Sequence, residues 1–350
     1  MLGILVMNAV SFGLNDAAYD DISADGMSTP LDWVVGVFGE VFVDQKFMGL
    51  FSALFGAGIV LFADRAAAKG KRPLLLSLWR NLLLLGIGFL HFLLWEGDVL
   101  MVYALSAPIL IALRRLQPRT LYVLGGSVLM LSVFLALVAQ DTVSASGGGL
   151  GGYWGVESTT SEEVELFYLV DYFARAIGMM LIGVGLYRSG IMTGERPPAF
   201  YRRMAVWGLA IGLSLATLGV VYIAVNDFDP AVAILSLIPN TLGTAPAVLG
   251  YLGLIILWDL RSPSPLVLRL RAAGRMALTN YLSQSVIGVG LLTVALADVD
   301  LTRSMIALFI LGVWALQLWW SKAWLDRFRF GPAEWAWRSA TYLRWQPLRR

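Results

Sequence analysis

The chain has 350 residues, of which 58% are hydrophobic and only 14% are charged, whereas a soluble globular protein carries about a quarter charged residues. This composition excludes a water-soluble fold. The absence of cysteine and the presence of one histidine exclude disulfides, thiolate metal sites and multi-histidine metal sites, so we expect no bound metal.

The charged residues change sign from one break between apolar segments to the next. Of the 26 Lys and Arg residues, 22 lie in alternate breaks and in the C-terminal tail. Short loops rich in Lys and Arg stay in the cytoplasm, so we place the basic breaks inside and the acidic breaks outside. The basic residues that depart from this pattern are Lys46, Arg80, Arg175 and Arg303.

Nine segments approach the length of ~20 apolar residues that a membrane-spanning helix needs. They are 47–63, 74–95, 99–113, 120–139, 166–187, 204–225, 231–258, 276–296 and 304–325. A tenth apolar run, 1–14, is only ~21 Å long as a helix, so we interpret it as a span that lacks its inner end. Because only helices satisfy the backbone of such segments in lipid, we predict an all-α, polytopic transmembrane helix bundle. It has about ten spans, with the first truncated and both termini cytoplasmic.

The bundle is predicted to be a single domain over residues 1–327, with long outer connections at 15–46 and 140–165. Apolar residues at helical spacing in 33–46 predict a helix that lies on the outer surface. In residues 328–350 tryptophan alternates with arginine, which is typical of an amphipathic segment on a membrane surface. We therefore assign 328–350 as a cytoplasmic amphipathic tail. The basic residues are dispersed at the membrane edges, so we expect no nucleic-acid partner.

The only histidine, His91, lies ~6 Å, or one turn, below the outer end of its span. Glu96 and Asp98 follow it, and a neighbouring carboxylate would hold the imidazole in one tautomer. We predict that His91, Glu96 and Asp98 are catalytic, with His91 acting as a general base or as a transient acyl acceptor. The alternative is an interfacial histidine that hydrogen-bonds a neighbouring helix.

Two further basic residues are candidates for binding a substrate on the outer side. Arg175 lies inside a span, where an unpaired charge is unfavourable, and Asp171 is one turn before it. A guanidinium suits a carboxylate or phosphate group, so we predict a substrate-binding group of Lys46, Arg175 and Asp171. The alternatives are a structural ion pair between Arg175 and Asp171 and a Lys46 that extends to the interface.

A second polar group is predicted near the inner face. Asn280 and Gln284 are four residues apart, and so are Gln317 and Ser321, so each pair shares a helix face. These residues could line a passage for the acyl-pantetheine arm of coenzyme A, whose phosphates would contact nearby arginines. Hydrogen bonding between the helices is the alternative. The predicted coenzyme A-binding residues are Arg80, Asn81, Arg275, Asn280, Gln284 and Gln317.

Four stretches of the sequence together resemble the YeiB-like family of bacterial membrane proteins. They are LFSALFGAGIVL, the H-x4-E-G-D-x-L-x-x-Y pattern from His91 to Tyr103, GRMALTNYLSQS and FRFGPAEWAWRSATY. The resemblance covers nearly the whole chain. That family is in turn similar to transmembrane acyltransferases that include heparan-alpha-glucosaminide N-acetyltransferase. The resemblance implies a bundle of about ten helices, located in the bacterial inner membrane, that transfers an acyl group across the bilayer.

Two functions are consistent with these features. The first is an acyltransferase that moves an acyl group from cytoplasmic acyl-CoA to an extracytoplasmic small-molecule, glycan or lipid acceptor, with acyl-CoA as co-substrate and no permanently bound cofactor. The second is a transporter or a lipid or solute carrier with a proton-coupled polar path. Both require the lipid bilayer as a partner. Apolar surfaces that face lipid and apolar surfaces that face another subunit look alike in sequence, so the sequence is compatible with a homo-oligomer as well as with a monomer.

Overall fold

In the computed structural model the described residues are 1–146, 149–155, 159–261 and 264–350, and they form a helical bundle. The helices are α1 (Leu2–Gly13), α2 (Pro30–Phe38), α3 (Lys46–Ala68), α4 (Pro73–Phe92), α5 (Leu100–Leu113), α6 (Pro118–Ser146), α7 (Glu162–Arg188), α8 (Pro198–Val225), α9 (Ala233–Asp259), α10 (Pro265–Arg275), α11 (Ala277–Gly288), α12 (Arg303–Arg327) and α13 (Pro332–Thr341). A π-helical turn, Val289–Ala295, extends α11. No β-strand occurs in these ranges, which confirms the all-α prediction.

The helices agree with the predicted spans in number and place. Among the described residues, 8 helical segments are long and apolar enough to cross a membrane. The two shorter apolar helices, Leu2–Gly13 and Leu100–Leu113, correspond to the other two predicted spans. The chain is therefore a polytopic membrane protein with about ten spans.

Helix α1 covers only part of the bundle depth, as its length predicts. The indole Nε1 of Trp314 donates to the Leu2 carbonyl oxygen at 3.1 Å. Trp314 lies eleven residues after Arg303, or ~16 Å along α12. At the other end of α1, the Thr293 hydroxyl donates to the Phe12 carbonyl oxygen at 2.6 Å. Leu2 thus lies near the middle of the bundle and Phe12 near the end with the acidic connections.

The segment 33–46 does not lie on the outer surface, so that part of the prediction is wrong. Helix α2 continues through a π-helical turn, Gly39–Val43, and Pro30–Ala68 forms one candidate span. The Tyr251 hydroxyl donates to the Phe42 carbonyl oxygen at 2.7 Å, and Tyr251 is ~27 Å along α9 from its start. Gln45 has a φ of 57° and redirects the chain into α3. Apolar spacing does not reveal such a change in direction.

Glycines bring the central helices into close contact. A Cβ atom added to Gly56 of α3 would lie 2.5 Å from the Met180 carbonyl oxygen of α7. A Cβ added to Gly212 of α8 would lie 2.5 Å from the Ala247 amide nitrogen of α9. Small residues allow this approach between helices in lipid, and they let α3 pack closely on α7 and α8 pack closely on α9.

The C-terminal tail is docked against the basic end of the bundle. The Glu334 carboxylate accepts hydrogen bonds from the Leu278 and Thr279 amides, at 2.6 and 3.1 Å. An acidic group is favourable at a helix N-terminus, and these amides belong to the first turn of α11. The Trp337 indole donates to the Arg80 carbonyl oxygen at 2.9 Å. The tail therefore connects α4 and α11.

Candidate functional site

His91 and Asp98 form a buried hydrogen-bonded pair. His91 is in the last turn of α4, and its Nδ1 lies 2.7 Å from Asp98 Oδ1. The two residues are 5% and 6% exposed. Asp98 Oδ2 accepts from the Met101 amide at 3.0 Å, which anchors the carboxylate at the start of α5. A Cβ at position 88 would lie 2.9 Å from Asp98 Oδ2, so Gly88 allows the close approach.

The pairing leaves one nitrogen of His91 free. A carboxylate that accepts from Nδ1–H holds the proton there and leaves the lone pair on Nε2. His91 Nε2 is buried and has no hydrogen-bond partner among the described residues. An imidazole oriented in this way can accept a proton from a substrate through Nε2.

Aromatic rings surround the pair. The Tyr281 ring centroid is 5.0 Å from that of His91, and the Tyr281 hydroxyl donates to Asp98 Oδ1 at 3.2 Å. The Trp95 ring is 6.0 Å from His91, and its indole donates to the Ser11 hydroxyl at 3.2 Å. The rings exclude water, which strengthens the His91–Asp98 interaction. The sequence analysis missed Tyr281, although it belongs to the GRMALTNYLSQS stretch.

The pair also contacts α11 through Tyr281. Tyr281 lies only four residues, or ~6 Å, past Ala277 at the basic end of α11, yet its hydroxyl reaches Asp98. Glu96, the other predicted carboxylate, is exposed and does not contact His91. The structure thus assigns the orientation of His91 to Asp98 rather than to Glu96.

Arg175 and Asp171 are joined, as their spacing predicts. The Arg175 guanidinium and the Ser132 hydroxyl both donate to the Asp171 carboxylate. Arg175 Nε is buried and has no partner within the described part of the chain. No hydrogen bond or ion pair of the described residues joins Arg175 to His91.

Lys46 does not extend to the interface. It is fully buried, at 0% exposure, and its Nζ donates to the Glu40 carbonyl oxygen and to Asn240 Oδ1, each at 2.5 Å. Asn240 in turn donates to Asp44 Oδ2 at 2.9 Å. Lys46 therefore belongs to a polar group inside the bundle, separate from the His91–Asp98 pair.

The sequence analysis missed the acidic members of this group. Glu40 lines two small cavities, of about 50 and about 30 Å³, and Asp44 and Asp20 line one each. Burial and the Asp44 carboxylate raise the pKa of Asp20 to about 7, although the charge of Arg175 opposes this shift. One feature of the sequence could have indicated this polar group: a glutamate, Glu40, lies within the apolar helical stretch 33–46.

The predicted inner residues fall into two separate groups. In the first, the Gln284 amide donates to Gln317 Oε1 at 2.8 Å, and the Gln317 amide donates to the Asn280 carbonyl oxygen at 2.9 Å. Asn280 Oδ1 also accepts from the Trp320 indole at 2.7 Å. The three amide residues are fully buried and link α11 to α12.

The second group lies against the tail. The Arg80 guanidinium is 4.4 Å from the Phe62 ring centroid and 4.2 Å from that of Trp337. Asn81 donates to the Ser77 carbonyl oxygen of its own helix, at 2.7 Å. Arg275 donates to the Arg329 carbonyl oxygen, at 3.0 Å. The structure therefore does not bring Arg80, Asn81 or Arg275 into contact with the buried amides.

Comparisons with known proteins show extensive similarity to bacterial proteins. A family model described as "Protein of unknown function (DUF418)" matches residues 186–344. "Uncharacterized protein YeiB" of Escherichia coli (strain K12) is 34% identical, and the alignment covers 97% of this chain and 93% of YeiB. "Uncharacterized protein YxaH" of Bacillus subtilis (strain 168) is 29% identical over 99% of this chain and 93% of its own length. No solved structure matches the chain.

Proposed function

The chain belongs to the YeiB-like family, and we propose that it is an acyltransferase of the bacterial inner membrane. It would transfer an acyl group from cytoplasmic acyl-CoA to an extracytoplasmic acceptor. The observation that carries this proposal is the buried His91–Asp98 pair, whose Nε2 has no partner in the described residues.

His91 acts as the general base in the proposed reaction. Its Nε2 takes the proton of an acceptor hydroxyl or amine while the acceptor oxygen or nitrogen attacks the thioester carbonyl carbon. The new acyl bond forms, the carbon–sulfur bond breaks, and coenzyme A leaves as a thiolate. Asp98 stabilises the imidazolium, which then returns its proton to the thiolate.

The route for the acyl donor starts at the basic end of the bundle. Tyr281 brings the His91–Asp98 pair near α11, whose adjoining face carries Asn280 and Gln284. These amides bond to α12, so an acyl-pantetheine arm that enters there has to separate α11 from α12. The amide groups of the arm can then make the hydrogen bonds that Asn280, Gln284 and Gln317 otherwise make with one another.

The test measures acyl transfer in membrane vesicles that contain the protein. Labelled acetyl-CoA and palmitoyl-CoA are supplied on the cytoplasmic side, and mass spectrometry follows the label into lipids and soluble acceptors. His91→Ala should lower transfer at least ~100-fold, since a positioned base contributes 10²–10⁴-fold. Asp141→Asn, an exposed carboxylate of α6, is the matched control. Undiminished transfer by a folded His91→Ala protein would exclude the mechanism.

One observation favours the alternative, a proton-coupled carrier. Asp20, Glu40 and Asp44 line small cavities within the helices near the acidic end, where carboxylates can bind and release protons. Solute flux into vesicles that depends on a pH gradient, without consumption of acyl-CoA, would support the carrier. Equal flux in vesicles with and without the protein would exclude it.

A further inference from the structure

A cavity of about 50 Å³ separates α1, α2 and α12. Its walls are apolar on the side of α1 and along α12, and its polar side chains are Tyr19, before α2, Glu40 and Asp44, after α2, and Arg303, at the start of α12. The apolar part of the lining includes Val6, Val10 and Ile310. No role in the His91 chemistry requires this cavity.

Arg303 brings an unpaired positive charge to the cavity. It is 5% exposed, and one terminal nitrogen donates to the Ala18 carbonyl oxygen at 2.8 Å. Its Nε has no partner in the described ranges, and no carboxylate there lies within 4.0 Å. A Cβ on Gly36, another wall residue, would lie 3.6 Å from this Nε. A buried guanidinium nitrogen without a hydrogen bond is unfavourable, so the atom is available to an acceptor group.

Glu40 brings an unpaired negative charge to the same cavity. Lys46 contacts only its carbonyl oxygen, and the carboxylate has no hydrogen bond or ion pair among the described residues. Asp44, one turn further on, also lines the cavity. The π-helical turn that carries Glu40 is a type of element that often occurs at functional sites.

The two unpaired charges define the ligand. An anion would pair with Arg303 but leave Glu40 and Asp44 without a donor, and a cation would pair with the carboxylates but leave Arg303 Nε without an acceptor. A zwitterion satisfies both charges. The cavity has room for roughly three or four water-sized groups. A short primary ammonioethyl arm fits this space, whereas a trimethylated choline arm is larger and has no N–H donor.

The cavity also adjoins the lipid. Val34 and Phe38 of α2 are 65% and 55% exposed, and Leu308 and Leu311 of α12 are 71% and 57% exposed. A Cβ on Gly39 would meet no atom within 4 Å, so the wall is open there. A ligand with an acyl chain can therefore place its head in the cavity and its chain in the bilayer.

We propose that this cavity binds a zwitterion with a primary ammonium group, as in an ethanolamine phospholipid. The ammonium donates to Glu40 and Asp44, the phosphate accepts from Arg303 Nε, and the first part of the chain contacts Val10 and Ile310. A free zwitterion such as phosphoethanolamine shares the head-group chemistry, and the experiment distinguishes the two sources.

The test uses the full-length protein in bilayer discs that contain equal amounts of phosphatidylethanolamine and phosphatidylcholine. Mass spectrometry counts the lipids that remain bound after extraction into detergent. The wild type should retain phosphatidylethanolamine at roughly a tenfold or higher ratio, since charge-assisted hydrogen bonds are the stronger kind. Glu40→Gln and Arg303→Gln should each bring the ratio near one, and Asp141→Asn should preserve it.

Other outcomes are equally informative. Equal retention of both lipids by the wild type, or an unchanged ratio in Glu40→Gln and Arg303→Gln, overturns the proposal. Displacement of the lipid by millimolar phosphoethanolamine supports the shared head-group chemistry and assigns the site to the free zwitterion. If a variant fails to fold, the increase in wild-type melting temperature on adding phosphatidylethanolamine rather than phosphatidylcholine decides the question, and equal increases contradict the proposal.

Discussion

Replacing Asp98 with asparagine is expected to disable His91 while leaving the fold in place. Asp98 accepts three hydrogen bonds, from His91 Nδ1, the Tyr281 hydroxyl and the Met101 amide. Asparagine has one acceptor oxygen and one donor group. If its oxygen faces Met101, its amide group faces His91, and Nδ1 must then accept. The His91 proton moves to Nε2, which removes the basic lone pair from the free side.

The size of the effect follows from the 2.7 Å contact between His91 Nδ1 and Asp98 Oδ1. A hydrogen bond to a charged group contributes ~1.5–3 kcal/mol. If this contribution stabilises the imidazolium in the transition state, its loss lowers the transfer rate roughly 10- to 150-fold. Tyr281→Phe removes one donor to Asp98, at 3.2 Å, but leaves the His91–Asp98 contact in place, so the rate should fall less than in Asp98→Asn.

The assay can report on His91 directly, because the chain contains one histidine. Protein labelled with ¹⁵N-histidine gives the nitrogen resonances of His91 alone. The wild type and Tyr281→Phe should show a proton on Nδ1, and Asp98→Asn should show it on Nε2. Acyl transfer in vesicles provides the second measurement.

Two results would refute this reasoning. The first is an Asp98→Asn protein that keeps the Nδ1–H tautomer, which would mean that Asp98 does not set the tautomer. The second is wild-type transfer by a protein with the altered tautomer, which would mean that His91 is not the base. The unfolding temperatures of the variants separate these outcomes from a loss of fold.

Two further predictions concern stability. Gly56→Ala should destabilise the protein, because its methyl group would lie 2.5 Å from the Met180 carbonyl oxygen. The control is Gly58→Ala, whose methyl group meets no atom within 4 Å. In thermal unfolding this control should be neutral or stabilising by up to ~1 kcal/mol. The pKa of Asp20 is raised from 3.8 to about 7 by burial and by Asp44, so the folded state holds a proton that the unfolded chain releases. The stability that this proton contributes is fully present below the unfolded-state pKa of 3.8. It is lost as the pH rises through the folded-state pKa of about 7. The melting temperature should therefore fall between about pH 4 and about pH 7 in the wild type and less in Asp20→Asn; equal slopes would contradict the assignment.

The sequence predicts the spans well because their signal is local. Apolar length and the sign of the flanking charges depend on a few adjacent residues, and both persist in the folded chain. The pairing of His91 with a following carboxylate was also local, since Asp98 lies seven residues further along at a helix end. The choice between Glu96 and Asp98 needed the structure.

The polar group around Glu40 could not be predicted in the same way. Lys46 bonds to Asn240, and Arg303 bonds to Ala18, so each contact joins distant parts of the chain. The direction of 33–46 depends on the backbone of Gln45, whose positive φ has no marker such as glycine. Lys46 and Arg303 were visible in the sequence as basic residues outside the alternating pattern of acidic and basic breaks. The sequence did not show that their side chains enter the bundle near Glu40.

The attachment of Glu334 to the first turn of α11 has a consequence for the interior. Tyr281, which contacts Asp98, lies only two residues beyond Thr279, one of the amides that Glu334 anchors. Anything that lifts the C-terminal helix away from the basic end of the bundle leaves two peptide N–H groups without their acceptor, and the adjoining backbone becomes free to fray. The buried imidazole and the last twenty or so residues of the polypeptide are thus mechanically connected through less than one helical turn.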